Sequence, residues 1–185
     1  GVTLDESLAS AIAQSAARLA LRSLALNILN RRAVSKVQLV RSLTARGHDA
    51  AAARALAEEF EQRGLINEQA YAEALANHVL RGKPAGAGLV RRKLAQRGIA
   101  RPIAESVTRA AGAAQDGRAR ALELARRLLR RVSLAQADPL ARRRRLAGAI
   151  ARRGFDPAEV RYALEHALKR SREEDDRHAP ESDEA

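Results

Sequence analysis

The chain has 185 residues, 46% of them apolar but only 2% aromatic, and a formal net charge of +12. It contains no cysteine, which excludes a disulfide framework, a thiolate metal site and a cysteine nucleophile. No stretch approaches the roughly 20 uninterrupted apolar residues of a membrane span, and no compact apolar segment follows a basic start, so a cytoplasmic protein without a membrane partner is expected.

Good helix formers dominate and the β-branched and aromatic residues favoured by strands are sparse, which predicts an all-α fold. In chain order, Thr3 and Glu6 stand at capping-box spacing and predict a helical N-terminal extension. It runs into the stripe Leu21, Leu24, Ala25, Ile28 and Leu29. Ser35 and Gln38 repeat the box before Leu39, Val40 and Leu43. Ala52, Leu56 and Phe60 make the next stripe, followed by Tyr71, Leu75 and Val79, with both aromatics expected in the core. Val90 with Leu94 and Ile103 with Val107 continue the series, the latter after Arg101-Pro102. Leu122, Ala125, Leu128, Leu129 and Val132 form a longer stripe. Asp138-Pro139 and Asp156-Pro157 each place a capping acid before a proline at the first helical position, where the missing N–H costs nothing. They open helices carrying Leu146 with Ile150, and Val160, Leu164, Ala167 and Leu168. Each stripe is one-sided and must pack against a neighbour. Gly47, Gly64, Gly98 and Gly154 stand where helices should stop in the left-handed conformation.

Three of these glycines belong to a repeat. Leu43-Thr44-Ala45-Arg46-Gly47, Leu94-Ala95-Gln96-Arg97-Gly98 and Ile150-Ala151-Arg152-Arg153-Gly154 each run from an aliphatic residue to Arg-Gly and then turn into another helix. The spacing predicts a tandem array of three three-helix repeats: residues 20–64, 65–114 and 115–170, after an extension at 1–19. Residues 171–185 carry seven acids against two arginines and read as a fraying helix end and a disordered tail, which could shield the basic third repeat.

Catalytic constellations are missing from this pattern. His48, His78, His166 and His178 lack metal-ligand spacing, and Ser106 and Ser133 have no neighbouring base. The run Gly82 to Gly88 lacks the Gly-Lys-Ser/Thr of a phosphate loop and reads as a helix connection whose glycines allow close backbone approach. Glu58-Glu59 and Glu173-Glu174 are adjacent, diverge by about 100° on a helix and read as solvated surface. The expectation is a non-enzymatic protein with no cofactor, no metal and no small-molecule substrate.

The electrostatic signal is sharper. Between Arg118 and Arg153 there are twelve arginines and only two acids, Glu123 and Asp138, a local charge of +10. Arg126, Arg127, Arg130, Arg131, Arg142, Arg143, Arg144, Arg145, Arg152 and Arg153 are therefore candidate contacts to a polyanion, as are Arg91, Arg92, Lys93 and Arg97. Guanidinium groups suit phosphate and carboxylate through paired hydrogen bonds. With four aromatics in all, recognition by base stacking is weak and backbone electrostatics is the better expectation.

The stretch Ala25-Leu26-Asn27-Ile28-Leu29 with Arg32, Ser35, Leu39, Leu43 and Gly47 resembles the first repeat of RecX regulatory proteins. Gly64-Leu65-Ile66-Asn67-Glu68 with Tyr71-Ala72, then Lys83, Gly86, Val90, Leu94, Arg97, Gly98 and Ile99, resembles the second. The likeness covers residues 20–170. Gln38 stands where that family usually has Glu, Asn67-Glu68 where it has an acidic pair, Pro84 where it has glycine and Leu89 where a basic residue is common. The resemblance implies an elongated, curved helical array that modulates the RecA recombinase in DNA recombination, repair and the SOS response, and a monomer is expected. Such a protein binds the RecA–single-stranded-DNA filament and inhibits its growth, ATPase, strand exchange and co-protease activity. It adds Arg32 and Lys83 to the candidate contacts, with Arg91 and Arg97 again. A stand-alone basic DNA-binding helical protein remains open as an alternative.

Overall fold

A computed structural model describes residues 5–114, 116–130 and 138–177, the last eight as backbone only. Among them are nine helices and no strand: α1 (Glu6–Arg31), α2 (Lys36–Thr44), α3 (Ala50–Gln62), α4 (Glu68–Arg81), α5 (Ala87–Gln96), α6 (Arg101–Ala113), α7 (Gly117–Leu129), α8 (Pro139–Arg152) and α9 (Pro157–Arg177). They form three successive triplets, α1–α3, α4–α6 and α7–α9. No described helix is long and apolar enough to cross a membrane.

Local chemistry explains most boundaries. At α2 the Gln38 backbone N–H donates to Ser35 Oγ at 3.2 Å, while the Ser35 N–H donates to Gln38 Oε1 at 3.3 Å. Asp49, Asp116 and Asp138 cap α3, α7 and α8 through their carboxylates. Asp156 and Glu159 exchange the same reciprocal pair of bonds at the start of α9. The α1 expectation needs correcting. The helix begins after Asp5, whose side chain makes no cap bond to the backbone, and Thr3 lies outside the described residues. The repeated glycines end α2, α5 and α8 at φ of +85°, +74° and +85°, and Gly64 follows α3 at +73°. In that region a Cβ crowds the following carbonyl, so glycine is the natural occupant.

Two compact units make up the chain. Unit 1 comprises residues 1–73 and 95–103. Its core joins Leu21 and Ala25 of α1 to Leu39 and Leu43 of α2 and to Ala53, Leu56, Ala57 and Phe60 of α3. Unit 2 comprises residues 74–94 and 104–185, and a core within it joins Ala121, Leu124 and Ala125 of α7 to Leu146 and Ile150 of α8, Phe155, and Ala163, Leu164 and Ala167 of α9. Residues 65–114 contribute to both units.

Two predicted stripes are displaced by one residue. Ala53 rather than Ala52 is buried on α3, and on α4 the buried line is Ala72, Ala76 and Leu80, with Tyr71, Leu75 and Val79 half-buried beside it. Alanine carries too little apolar surface to dominate a pattern search. Its small size nevertheless lets helix axes approach at the short end of the usual 8–10 Å range, so it takes the centre of the contact. Tyr71 is therefore no core residue; its hydroxyl donates to Gln38 Oε1 at 2.8 Å. The first part of α1 is exposed through Ala20, including Leu8, Ile12 and Leu19.

Glu59, expected on a solvated face, is half-buried between Arg22 at 2.8 Å and Arg63 at 3.0 Å. The Arg22 hydrogen bond, helped by the charges of Arg22 and Arg63, holds its carboxyl below the ordinary carboxylate value. A depressed folded value means that the cluster's contribution is complete above about pH 4.5, the ordinary value of the group, and is lost as the pH falls through the folded value. Glu59→Gln is expected to make the urea midpoint fall less steeply below that pH than it does in the unmodified chain. Identical acid limbs would show that the cluster contributes nothing to folding.

Candidate functional site

The basic candidates fall into several settings. On unit 2, the backbone folds the α4–α5 connection against the turn between α8 and α9. The Gly86 N–H donates to the Arg153 carbonyl at 3.0 Å and the Gly88 N–H to the Gly154 carbonyl at 2.9 Å. A Cβ on Gly86 would overlap the Gly154 carbonyl, and one on Gly154 would overlap the Leu89 nitrogen. The glycine run thus provides the close backbone approach that its composition suggested. Around this joint gather four candidates from segments some 70 residues apart in sequence. Arg153 donates from Nε to the Pro84 carbonyl at 2.8 Å and from Nη2 to the Lys83 carbonyl. Arg92 Nη2 donates to the Arg152 carbonyl at 2.6 Å. Arg153 is half-buried and committed to the joint, whereas Lys83, Arg92 and Arg152 are exposed.

On α8 the four consecutive arginines divide by burial. Arg143, Arg144 and Arg145 are exposed, while Arg142 is half-buried, its Nε enclosed without a hydrogen-bond partner among the described residues. Arg142 and Arg143 line a 370 Å³ groove with Pro139, facing Glu165 and Lys169 of α9 across Leu164 and Leu168. Lys169 had no sequence signal of its own; it reaches the groove because α9 packs beside α8. On α7, Arg126 and Arg127 are exposed and Arg130 caps the C-terminus, with Arg127 paired to Glu123 at 3.5 Å. Arg131 lies outside the described residues, as does the chain from His178 onward. Arg91 and Lys93 are exposed on α5.

On unit 1, Arg97 is half-buried and its carbonyl accepts from Ser35 Oγ. Arg32 is exposed just after α1 and lines a 340 Å³ groove with Arg31 and Arg46. Arg46 belongs to the Arg-Gly turn that defines the repeat, so its motif was legible although its role was not. Glu61 engages Lys36 at 2.6 Å, which raises the Lys36 ammonium above its ordinary value.

The arrangement offers exposed cations on helical surfaces. Among the described residues no group of three or more His, Cys, Asp or Glu side chains is placed to hold a metal ion. His166 is stacked on Tyr162 at 4.0 Å between ring centres.

Comparison with known proteins gives one consistent family. Residues 67–107 match the family model for the second three-helix domain of RecX. The chain is 32% identical over 149 residues to the regulatory protein RecX of Chromohalobacter salexigens, a match covering 80% of this chain and 93% of the relative. It is 27% identical over 146 residues to the regulatory protein RecX of Chlorobium phaeobacteroides, covering 79% and 92%. The fold is that of a crystal structure of regulatory protein RecX, with a TM-score of 0.76 at 19% identity over 89% of this chain and 80% of that one. It is also similar to RecX from Lactobacillus salivarius, with a TM-score of 0.68 at 16% identity over 84% and 99%.

Proposed function

The chain belongs to the RecX family of regulatory proteins, and from that premise we propose that it is a non-enzymatic regulator of the RecA recombinase. It binds the RecA–single-stranded-DNA filament in the cytoplasm as a monomer and inhibits filament growth, ATPase, strand exchange and co-protease activity. The observation that carries the proposal, beyond the family, is the density of exposed arginine on unit 2. Arg126, Arg130, Arg143, Arg144, Arg145 and Arg152 have no ion-pair partner among the described residues, and the Lys83–Arg92–Arg152 group is adjacent to none of the chain's acids in sequence. An acidic or phosphate-lined filament groove would attract such a surface and raise its association rate.

The test is ATP turnover by RecA on single-stranded DNA, with this chain titrated in below the recombinase concentration. Inhibition at that ratio is expected, because acting on a filament needs fewer copies than sequestering DNA. Replacing Arg143, Arg144 and Arg145 together by alanine is expected to raise the half-inhibitory concentration about tenfold, or about 1.4 kcal/mol. No inhibition by the unmodified, folded chain would refute the proposal. Tight, steeply salt-dependent binding to naked duplex in that case would favour the stand-alone DNA binder.

A further inference from the structure

Within unit 1, α2 and the α5–α6 turn meet much as the α4–α5 connection meets the α8–α9 turn within unit 2. Ser35 Oγ donates to the Arg97 carbonyl, and a Cβ on Gly98 would sit 2.5 Å from Val37 Cβ. The Arg-Gly turns of the second and third triplets are therefore both covered by chain from the triplet before. The first triplet has the same turn, with Gly47 at the same φ as Gly154, but apart from Gly47 and its two chain neighbours no heavy atom of the described chain lies within 4 Å of where its Cβ would stand. Arg46 is exposed, and its Nη1 returns to the Ser42 carbonyl of its own helix at 2.6 Å.

Beside this open turn is the 340 Å³ groove between the C-terminal ends of α1 and α2. Arg31, Arg32 and Arg46 surround it, Asn27 adds an amide, and Leu24 and Ile28 give it an apolar wall. The acids of unit 1 that make ion pairs are engaged elsewhere: Glu59 with Arg22 and Arg63, Glu61 with Lys36. Among the described residues none of the three groove arginines has an ion-pair partner. The carbonyl ends of two helices explain one favourable cation each. They do not explain three guanidinium groups around one cleft, two of them without any hydrogen bond among the described residues.

We propose that this groove binds the phosphodiester backbone of single-stranded DNA, with the guanidinium groups on phosphate and Leu24 and Ile28 against the sugar. A tetrahedral phosphodiester presents its charged oxygens out of a single plane and recurs along the strand, so guanidinium forks arriving from two helices can engage one phosphate or its neighbours at once. The apolar wall suits an unpaired strand, whose sugar edge is free to approach. The proposal deepens the filament reading by giving nucleic acid a site on unit 1, and rests on that reading for the choice of a single strand.

The experiment is fluorescence anisotropy of a labelled oligothymidylate titrated with the full chain over a salt series. Arg32→Gln with Arg46→Gln is compared with Arg18→Gln plus Arg54→Gln, two exposed arginines away from the groove. All four side chains are exposed, and circular dichroism checks that both variants fold. The groove variant is expected to lose about tenfold in affinity at low salt, with the slope of log K against log salt shallower by about 1.4, two contacts at roughly 0.7 each. The Arg18/Arg54 variant is expected to lose much less. The proposal is overturned if the unmodified chain does not bind the oligonucleotide, if the groove variant keeps its affinity and slope, or if both variants lose equally, which would mean net charge alone. It is also overturned if the groove variant keeps the oligonucleotide but loses labelled polyglutamate, which would assign the groove to an acidic protein. ATPase inhibition by the unmodified chain decides the filament reading separately, whichever way the oligonucleotide result falls.

Discussion

Gly154→Ala is expected to destabilise the protein by about 2–4 kcal/mol. The left-handed conformation at φ +85° costs a non-glycine residue roughly 1 kcal/mol. The larger part is packing. The new methyl would overlap the Leu89 nitrogen and stand 2.8 Å from the Gly88 carbonyl carbon, and backbone cannot rotate aside as a long side chain can. Relief requires the α4–α5 connection to lift away, which loosens the Gly86 to Arg153 and Gly88 to Gly154 hydrogen bonds at about 1 kcal/mol each. Overpacking strain adds about 1–3 kcal/mol if the joint holds instead. Gly47→Ala is the internal control. It has the same φ and nothing within 4 Å, so it should cost only the conformational term, about 1 kcal/mol. Urea unfolding of the two variants measures the difference. Equal midpoints would show that the joint contributes nothing beyond backbone conformation.

The second large effect is expected at Phe60→Ala, about 3–5 kcal/mol. Phe60 is fully buried among Leu39, Leu43, Leu56 and Ile66. It is one of two phenylalanines in the chain, so few other side chains supply comparable volume. The Arg22 guanidinium lies over its ring at 5.4 Å while also bonding Glu59, so the ring supports the ion pair as well as the core. Removing it leaves a cavity in a core otherwise built largely of leucine and alanine, whose short side chains cannot collapse into the space. Leu8→Ala, at a position 48% exposed on the free part of α1, should change stability by less than about 0.5 kcal/mol. A Phe60→Ala midpoint as close to the unmodified chain as that of Leu8→Ala would remove the case for a core organised around this ring.

Much of the molecule was legible before folding. The three Arg-Gly turns, the capping pair Ser35–Gln38 and the acids before Pro139 and Pro157 are local devices, satisfied within four or five residues, so spacing alone locates them. The same holds for the sign of the third triplet's surface, because twelve arginines against two acids cannot be neutralised by any arrangement of that segment with itself. Chain order of the recognised motifs was enough to indicate the family.

The individual roles of the arginines were not legible. Arg153 and Arg152 are neighbours in identical company, yet the first is bound into a joint through the carbonyls of Lys83 and Pro84 while the second is exposed. Arg46 looked like one more turn residue, and Lys169 carried no signal of its own, until α1 met α2 and α8 met α9. Alanine against leucine at the centre of α4 likewise depended on how closely a neighbour approached. The sequence by itself determined which segments are helical, where they turn and how much charge each carries, because caps, glycines and periodicity act over a few residues. Only the tertiary structure decided which cations are bound into the fold and which face outward, because that depends on backbone carbonyls brought close from 70 residues away and on acids from 25 and 37 residues away.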